Sequence, residues 1–152
     1  MDERSNTLAP LEDPYRAYNF QLIIAGVPEG HFTACGGLDV RVHPIRYREG
    51  GRGQVVRHVP GQVEYGAVTL WYGLTSSDAL WRWFEGAVKG RVERRNVSIV
   101  NVDVDGVTPL VRWDLFQAWP SAWRGADLDA LSRDVAIESV TLVYDWLARQ
   151  VG

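Results

Sequence analysis

The sequence predicts a mainly β protein: an antiparallel barrel or sandwich of the kind that carries one α-helix, with a long extended loop between early strands. Three observations lead there. Apolar and polar residues alternate with a period of two along most of the chain, one stretch after residue 78 switches to helical spacing, and glycine or proline punctuates the boundaries between runs. Strands joined by hairpins and covered by one helix belong to that class.

Residues 1–13 are polar and aperiodic and predict a loose N-terminal arm. From Tyr18 the apolar set Tyr18, Phe20, Leu22 and Ile24 alternates with its neighbours, predicting a strand that ends at the Gly26, Pro28, Gly30 turn. A second strand is expected over residues 31–42, bent or bulged at Gly36-Gly37. Pro44 resets the phase, and Ile45 and Tyr47 continue the alternation to Glu49-Gly50-Gly51. Residues 63–73 predict a further strand, with Val68, Leu70 and Tyr72 on one face and Thr69 and Trp71 on the other. Thr75 to Asp78 has the form of a capping box with Asp in place of Glu, and Leu80, Trp83, Phe84, Ala87 and Val88 form one helical stripe ending near Gly86 to Gly90. Residues 94–104 are rich in β-branched side chains, Asp105-Gly106 is a hairpin signal, and residues 110–119 form the return strand, closed by Pro120. After a loop over 121–132, residues 133–148 predict one final strand whose Val140, Leu142, Tyr144 and Trp146 share a face.

The chain has 152 residues, which is enough for a single domain over 1–152 burying about 68 to 70% of its unfolded surface. Apolar residues make up 46% and charged residues 23%, globular values that exclude a disordered chain. No apolar run is long enough to span a bilayer as a helix, and the start lacks the basic and apolar regions of a secretory signal. With the single Cys35 no internal disulfide forms, and cytoplasmic synthesis is the expectation.

Charge is unevenly spread. Residues 1–40 carry −4, 41–62 carry +4, 63–124 are neutral and 125–152 carry −3. The basic block, RVHPIRYREGGRGQVVRHVPGQ, is too polar for a core and too long for a hairpin turn, so it is expected on the surface or reaching beyond its own domain. A basic arm on an acidic body suits binding to copies of that body, whereas nucleic-acid binders are basic over the whole domain.

Chemical sites are weak by comparison. Gly50-Gly51-Arg52-Gly53 lacks the lysine and spacing of a phosphate-binding loop. His31, His43 and His58 have no metal-ligand spacing, and Asp103-Val104-Asp105-Gly106 lacks the later ligands of a calcium loop and is read as a turn. Cys35 has no evident base and is read as a small buried side chain. Seven tryptophans and six tyrosines admit a stacking platform, with Trp71, Trp119 and Trp123 as candidates, but core and interface packing accounts for them better. No catalytic residue, cofactor or metal is expected.

The order of landmarks resembles the inner tube proteins of contractile phage tails and phage-tail-like contractile injection systems. It runs through Asp13-Pro14-Tyr15, Tyr18-Asn19-Phe20, Phe32, Gly36-Gly37-Leu38, Tyr47-Arg48-Glu49-Gly50, Pro60-Gly61 and Val68-Thr69-Leu70 to Gly73. It continues through Leu80-Trp81-Arg82-Trp83, Arg94-Arg95-Asn96-Val97, Trp113, Ala118-Trp119-Pro120, Leu128-Asp129-Ala130 and Val135-Ala136-Ile137-Glu138, covering residues 13–147.

The resemblance implies a non-enzymatic subunit that forms hexameric rings stacked into a hollow tube inside a contractile sheath, with baseplate, spike and cap proteins as further partners and cargo in the lumen. It implies assembly in the producer's cytoplasm into a virion or a phage-tail-like particle that is released in some systems. The early loop would then touch neighbouring subunits through Arg46, Tyr47, Arg48, Glu49, Gly50, Gly51, Arg52, Gly53, Arg57, Pro60 and Gly61. Asp127, Asp129 and Asp134 are the candidate acidic partners of its arginines, and residues 49–62 are expected to order on assembly. Two other readings are a baseplate-proximal or cap paralogue and, from a different class, a small-barrel nucleic acid or carbohydrate binder.

Overall fold

The computed structural model describes residues 20–25, 32–48, 50, 55–74 and 78–151. They form β1 (Phe20–Ile24), β2 (Phe32–Gly36), β3 (Val40–Arg48), β4 (Val56–Tyr65), β5 (Val68–Gly73), α1 (Ala79–Val88), β6 (Arg95–Val102), β7 (Pro109–Arg124), β8 (Ile137–Val143) and β9 (Trp146–Val151). All pairings among them are antiparallel. The β-rich, one-helix class predicted from the alternation is the class observed.

β7 organises the body because it is long enough to serve two sheets. Its first part, Val111 to Phe116, pairs with β9 on one side and, through Val97 to Val102, with β6 on the other; β1 then pairs with β6. Its last part, Trp119 to Arg124, pairs with β8, which continues to β5 and β2. At the switch Gln117 has φ of 58°, the left-handed region that non-glycine residues seldom occupy. Asn96 Oδ1 accepts a hydrogen bond from its backbone N–H at 3.3 Å.

This switch corrects two expectations. Pro120 does not close the strand: it is fully buried and sits at a register shift opposite Leu142, where its missing N–H is tolerated in a sheet. The single final strand is two strands. β8 follows the far part of β7, the chain breaks at Tyr144 and Asp145, and β9 returns to the near part. The Asp145 N–H donates to Phe116 O at 3.0 Å across that break. Trp146 consequently leaves the face it was expected to share with Val140 and Leu142; it is 50% exposed and its ring stacks on Phe116 at 3.9 Å.

The core lies between the two sheets. Leu22, Ile24, Val68, Leu70, Val97, Ile99, Leu115, Ala118, Val140 and Leu142 fill it, joined by Leu80 and Trp83 from α1. Each fully buried aliphatic side chain contributes about 1.5–3 kcal/mol. The helix thus covers the β body as expected, packing on β7. Trp83 donates its indole N–H to Glu93 O at 2.7 Å, and the Arg95 guanidinium lies 5.1 Å over the ring. Thr75 lies outside the described residues. Asp78 makes no side-chain capping bond and instead pairs with Arg82 at 2.9 Å, so the helix is held by its buried stripe more than by a capping box.

The expected strands over 31–42 and 63–73 are each split, and the two splits coincide. β2 runs into β3 through residues 37–39, and β4 into β5 through 66–67, so one antiparallel ribbon is interrupted on both strands as it leaves the body. Gly37 adopts φ of +95°, and a Cβ there would sit 2.3 Å from Ala67 O. Gly66 N–H donates to Asp39 O at 2.7 Å, and the Tyr144 hydroxyl donates to Gly66 O at 2.6 Å. Beyond this root β3 and β4 form a separate two-stranded sheet.

Candidate interaction surface

The basic block is a hairpin arm. The block is too long for a hairpin turn, as expected, and most of its length is two strands paired from Val40↔Tyr65 at the root to Arg48↔Val56 near the tip. β-branched residues at 40, 42, 45, 55, 56, 59 and 63 favour that extended form. Pro44 and Pro60 face each other beside a register shift, a position where neither needs a ladder N–H. Gly61 is required there: a Cβ would lie 2.5 Å from His43 O and 2.9 Å from the Ile45 side chain. The described part of residues 49–62, from Val56 onward, is therefore strand in the subunit itself.

Residues directly opposite in an antiparallel pair share a face, so the register sorts the arm's side chains. At the root Val40, Tyr65, Val42 and Val63 share one face, and Arg41 and Glu64 the other. In the outer half Ile45, Val59, Tyr47 and Arg57 share a face, while Arg46, His58, Arg48 and Val56 lie on the reverse. All nine β3 residues are exposed, and none of the described residues between 40 and 65 belongs to the core. Near the root Arg41 pairs with Asp39 at 3.3 Å, and His43 Nε2 meets Glu64 Oε2 at 2.5 Å. Among the described residues Arg46 and Arg48 make no ion pair within the chain. Gly50 is exposed in the tip turn. Glu49, Gly51, Arg52 and Gly53 lie outside the described residues.

The acidic candidates Asp127, Asp129 and Asp134 sit together in the exposed connection between β7 and β8, residues 125–136. Asp127 lies 3.9 Å from Arg124. Asp129 shapes the connection, its Oδ1 accepting from Leu131 N–H at 3.0 Å, and Asp134 N–H donates to Ser132 Oγ at 3.1 Å. No ion pair joins these carboxylates to the arm within the described chain. What charge counting missed is aliphatic: the arm's half-exposed valines and isoleucine, and Leu128, Leu131 and Val135 in the acidic connection. The signal is the alternation of residues 40–47, which the charge of the block overshadows.

The other candidates resolve as structure. Burial pushes the Cys35 thiol up to about 11, so it stays protonated and unreactive at neutral pH. It helps line a 410 Å³ cavity with Phe20, Phe32, Leu38, Ile99, Trp113 and the polar Thr33 and Asn101, a wall without an acid or base pair. Among the described residues no His, Cys, Asp and Glu cluster could hold a metal. Asp105 Oδ1 accepts from Val107 and Thr108 N–H at 2.9 Å each, and Oδ2 from the Thr108 hydroxyl, so its lone pairs staple the β6–β7 turn. The Thr108 hydroxyl, followed by the Thr108 and Val107 amides, holds this carboxyl below its usual value. A lowered folded pKa means that the stapling is present at neutral pH and lost as acid titrates the carboxylate. Asp105→Ala is expected to melt below the parent protein at pH 7, with the gap closing as the pH falls through the carboxylate range, read by thermal denaturation at several pH values.

The surface tryptophans are largely occupied with other aromatics. Trp123 donates to the Tyr72 hydroxyl at 3.1 Å and meets Trp81 edge to face at 4.7 Å, and Trp81 in turn lies 5.9 Å from Phe84. Among the described residues no helix is long and apolar enough to cross a membrane.

A two-sheet β body with one covering helix, an amphipathic hairpin held clear of it, and side chains otherwise absorbed in packing and turns has the build of a structural, interaction-forming subunit. The chain belongs to the T4-like virus tail tube protein gp19 family, whose model matches residues 16–148. Its fold is similar to the PVC sheath-tube complex of an extracellular contractile injection system in the extended state, at 26% identity over 93% of this chain and 95% of that one, with a TM-score of 0.84. It is equally similar to the tube-terminating cap of the anti-feeding prophage, at 26% identity over 100% of both chains and a TM-score of 0.85. Hcp1 from Flavobacterium johnsoniae shares the fold at 16% identity over 89% of this chain and 97% of that one, with a TM-score of 0.62. No curated protein matches the sequence.

Proposed function

We propose that this chain is the repeating subunit of the inner tube of a contractile injection system or contractile phage tail, a single domain that closes into hexameric rings and stacks them through its arm. The observation that carries the reading is the detached hairpin in a member of the tail tube family: it exposes apolar side chains that its own core does not use. A tube needs heterologous contacts that close around the ring and repeat along the axis. Interfaces of permanent assemblies bury roughly 2,000 Å² or more, which an extended arm helps to supply. In this reading the tube forms in the producer's cytoplasm, a sheath surrounds it, a baseplate with spike and a cap bound its ends, and contraction drives it through a target envelope with cargo in the lumen. The role is structural, without catalysis.

A second reading has specific support. The anti-feeding prophage cap aligns over the full length of both chains, which fits a cap or baseplate-proximal paralogue as well. Negative-stain imaging of the purified protein separates the two: hollow tubes of indefinite length are expected for the repeating subunit, single rings for a terminal one, and a monomer at all concentrations would sink both.

A further inference from the structure

Two exposed surfaces away from the arm lie at opposite ends of α1. At the C-terminal end the chain turns through Gly90, at φ of +78°, and Arg91 N–H donates to Gly86 O at 2.7 Å. This corner, residues 88–92, carries net +2 and leaves Val88 and Val92 67% and 45% exposed. Lys89 is paired with Glu85 at 2.7 Å, whereas Arg91 makes no ion pair among the described residues. The other surface is the connection between β7 and β8. It starts just past Trp123, whose ring lies 4.7 Å from that of Trp81 in the first turn of α1, and it ends at Ala136, whose carbonyl accepts from Leu74 N–H at 2.9 Å. It therefore sits beside the helix's N-terminal end, with the ten residues of α1, about 15 Å of helix, between it and the corner. Residues 125–136 carry net −2, and Leu128, Leu131 and Val135 are 80%, 92% and 75% exposed. Asp129 is committed to the connection's own frame, accepting from Leu131 N–H, and Asp127 lies 3.9 Å from Arg124. Asp134 is left without an ion pair among the described residues. One surface is aliphatic with a spare cation, the other aliphatic with a spare anion.

We propose that the corner at residues 88–92 of one copy docks on the 125–136 connection of the next copy around the ring. Val88 and Val92 pack against Leu128, Leu131 and Val135, and the Arg91 guanidinium meets the Asp134 carboxylate. Complementary surfaces at opposite ends of one element make a heterologous contact, the kind that repeats from copy to copy and ends in a ring when the rotation closes. This rests on the tube-subunit reading and adds to it a lateral contact separate from the arm. Exposed apolar side chains bordered by charge mark a docking surface; the aliphatic contact supplies the attachment, since an exposed ion pair contributes little, and the charges fix the register. Five aliphatic side chains fall short of the roughly 2,000 Å² that permanent interfaces bury, so this contact works together with the arm and does not replace it.

Disulfide trapping and charge exchange in the full chain test the docking. In a Cys35→Ala background, Val92→Cys combined with Leu131→Cys is expected to give a ladder of cross-linked multimers from oxidised tubes, because a disulfide needs Cα atoms about 4.4–6.8 Å apart. The ladder should stop at the size of one ring. Val104→Cys with Leu131→Cys, taken from the β6–β7 turn where Val104 is 77% exposed, is expected to give none. Arg91→Glu and Asp134→Arg, each alone, should leave the monomer's melting temperature unchanged and raise the concentration needed for assembly about tenfold, since each sets like charges against each other across the contact. The two together should restore assembly, which a loss through misfolding would not do. Tubes that form without the Val92–Leu131 cross-link, a ladder that runs past one ring, or a double reversal that stays as impaired as the single ones overturns the lateral docking and leaves the tube reading standing. A parent chain that forms no ring or tube overturns the tube reading, and the docking with it.

Discussion

Removal of residues 40–65, with Asp39 and Gly66 joined by a short Gly-Ser link, is expected to yield a folded monomer that no longer assembles. The separation of effects follows from packing. None of the described residues among those deleted belongs to the core, so the hydrophobic term that holds the body is untouched. The cut ends already lie together, Gly66 N–H donating to Asp39 O at 2.7 Å, so the link closes without moving β2 or β5. What the body loses is the Tyr65 ring beside Tyr144 at 5.9 Å, a contact worth about 0.5–1.5 kcal/mol. What the assembly loses is every side chain of the arm. Circular dichroism melts should therefore show a cooperative transition within a few degrees of the parent, while sedimentation and imaging show no tubes. Tubes built from the shortened chain would refute the arm's role; an unfolded product would show that the hairpin stabilises the body after all.

Gly37→Ala is the substitution expected to cost most for its size. The position combines φ of +95° with a Cβ site 2.3 Å from Ala67 O, and that obstacle is backbone, which cannot rotate away. Backbone strain of about 1–3 kcal/mol adds to overpacking of about 1–3 kcal/mol, so a loss of roughly 2–6 kcal/mol is expected. The ribbon can relieve the clash only by opening between residues 37 and 67, which changes the angle at which the arm leaves the body. Chemical denaturation should show the lower midpoint, and assembly should fall by more than the folded fraction does. A contrast is Gly50, whose added Cβ meets nothing within 4 Å, so Gly50→Ala should leave stability and assembly near the parent values. Equal behaviour of the two variants would remove the interruption at the root from the account.

Much of the fold was legible in short-range pattern. β1, α1, β6 and the Asp105-Gly106 turn fall where alternation, helical spacing and turn chemistry put them, because each is decided by residues within one element or one turn. The strand breaks were not legible in the same way. Pro120 reads locally as a terminator, yet it is buried in a continuing strand because a register shift leaves its nitrogen without a required bond. Tyr144-Asp145-Trp146 reads as uninterrupted alternation, yet the strand divides there because its partner β7 changes sheets at Gln117. In the candidate surface the arginines and aspartates stood out by charge. The aliphatic residues that accompany them did not, since an apolar strand face looks the same in sequence whether it meets a core or nothing in its own chain.

By itself the sequence determined that this is a β-rich chain with one helix, that its landmarks follow the order of tail tube proteins, and that its basic charge is gathered in one segment. Those are consequences of residue identity and spacing. The tertiary structure decided that the segment is a paired hairpin rather than a loop, and that Arg57 shares a face with Ile45, Tyr47 and Val59 while Arg46 and Arg48 do not. It also decided that the ribbon is interrupted at Gly37 and Gly66 and that the described core leaves those side chains uncovered. These depend on which residues stand opposite one another across strands and on where a backbone approaches within a Cβ of its neighbour, relations between distant positions that no local pattern encodes.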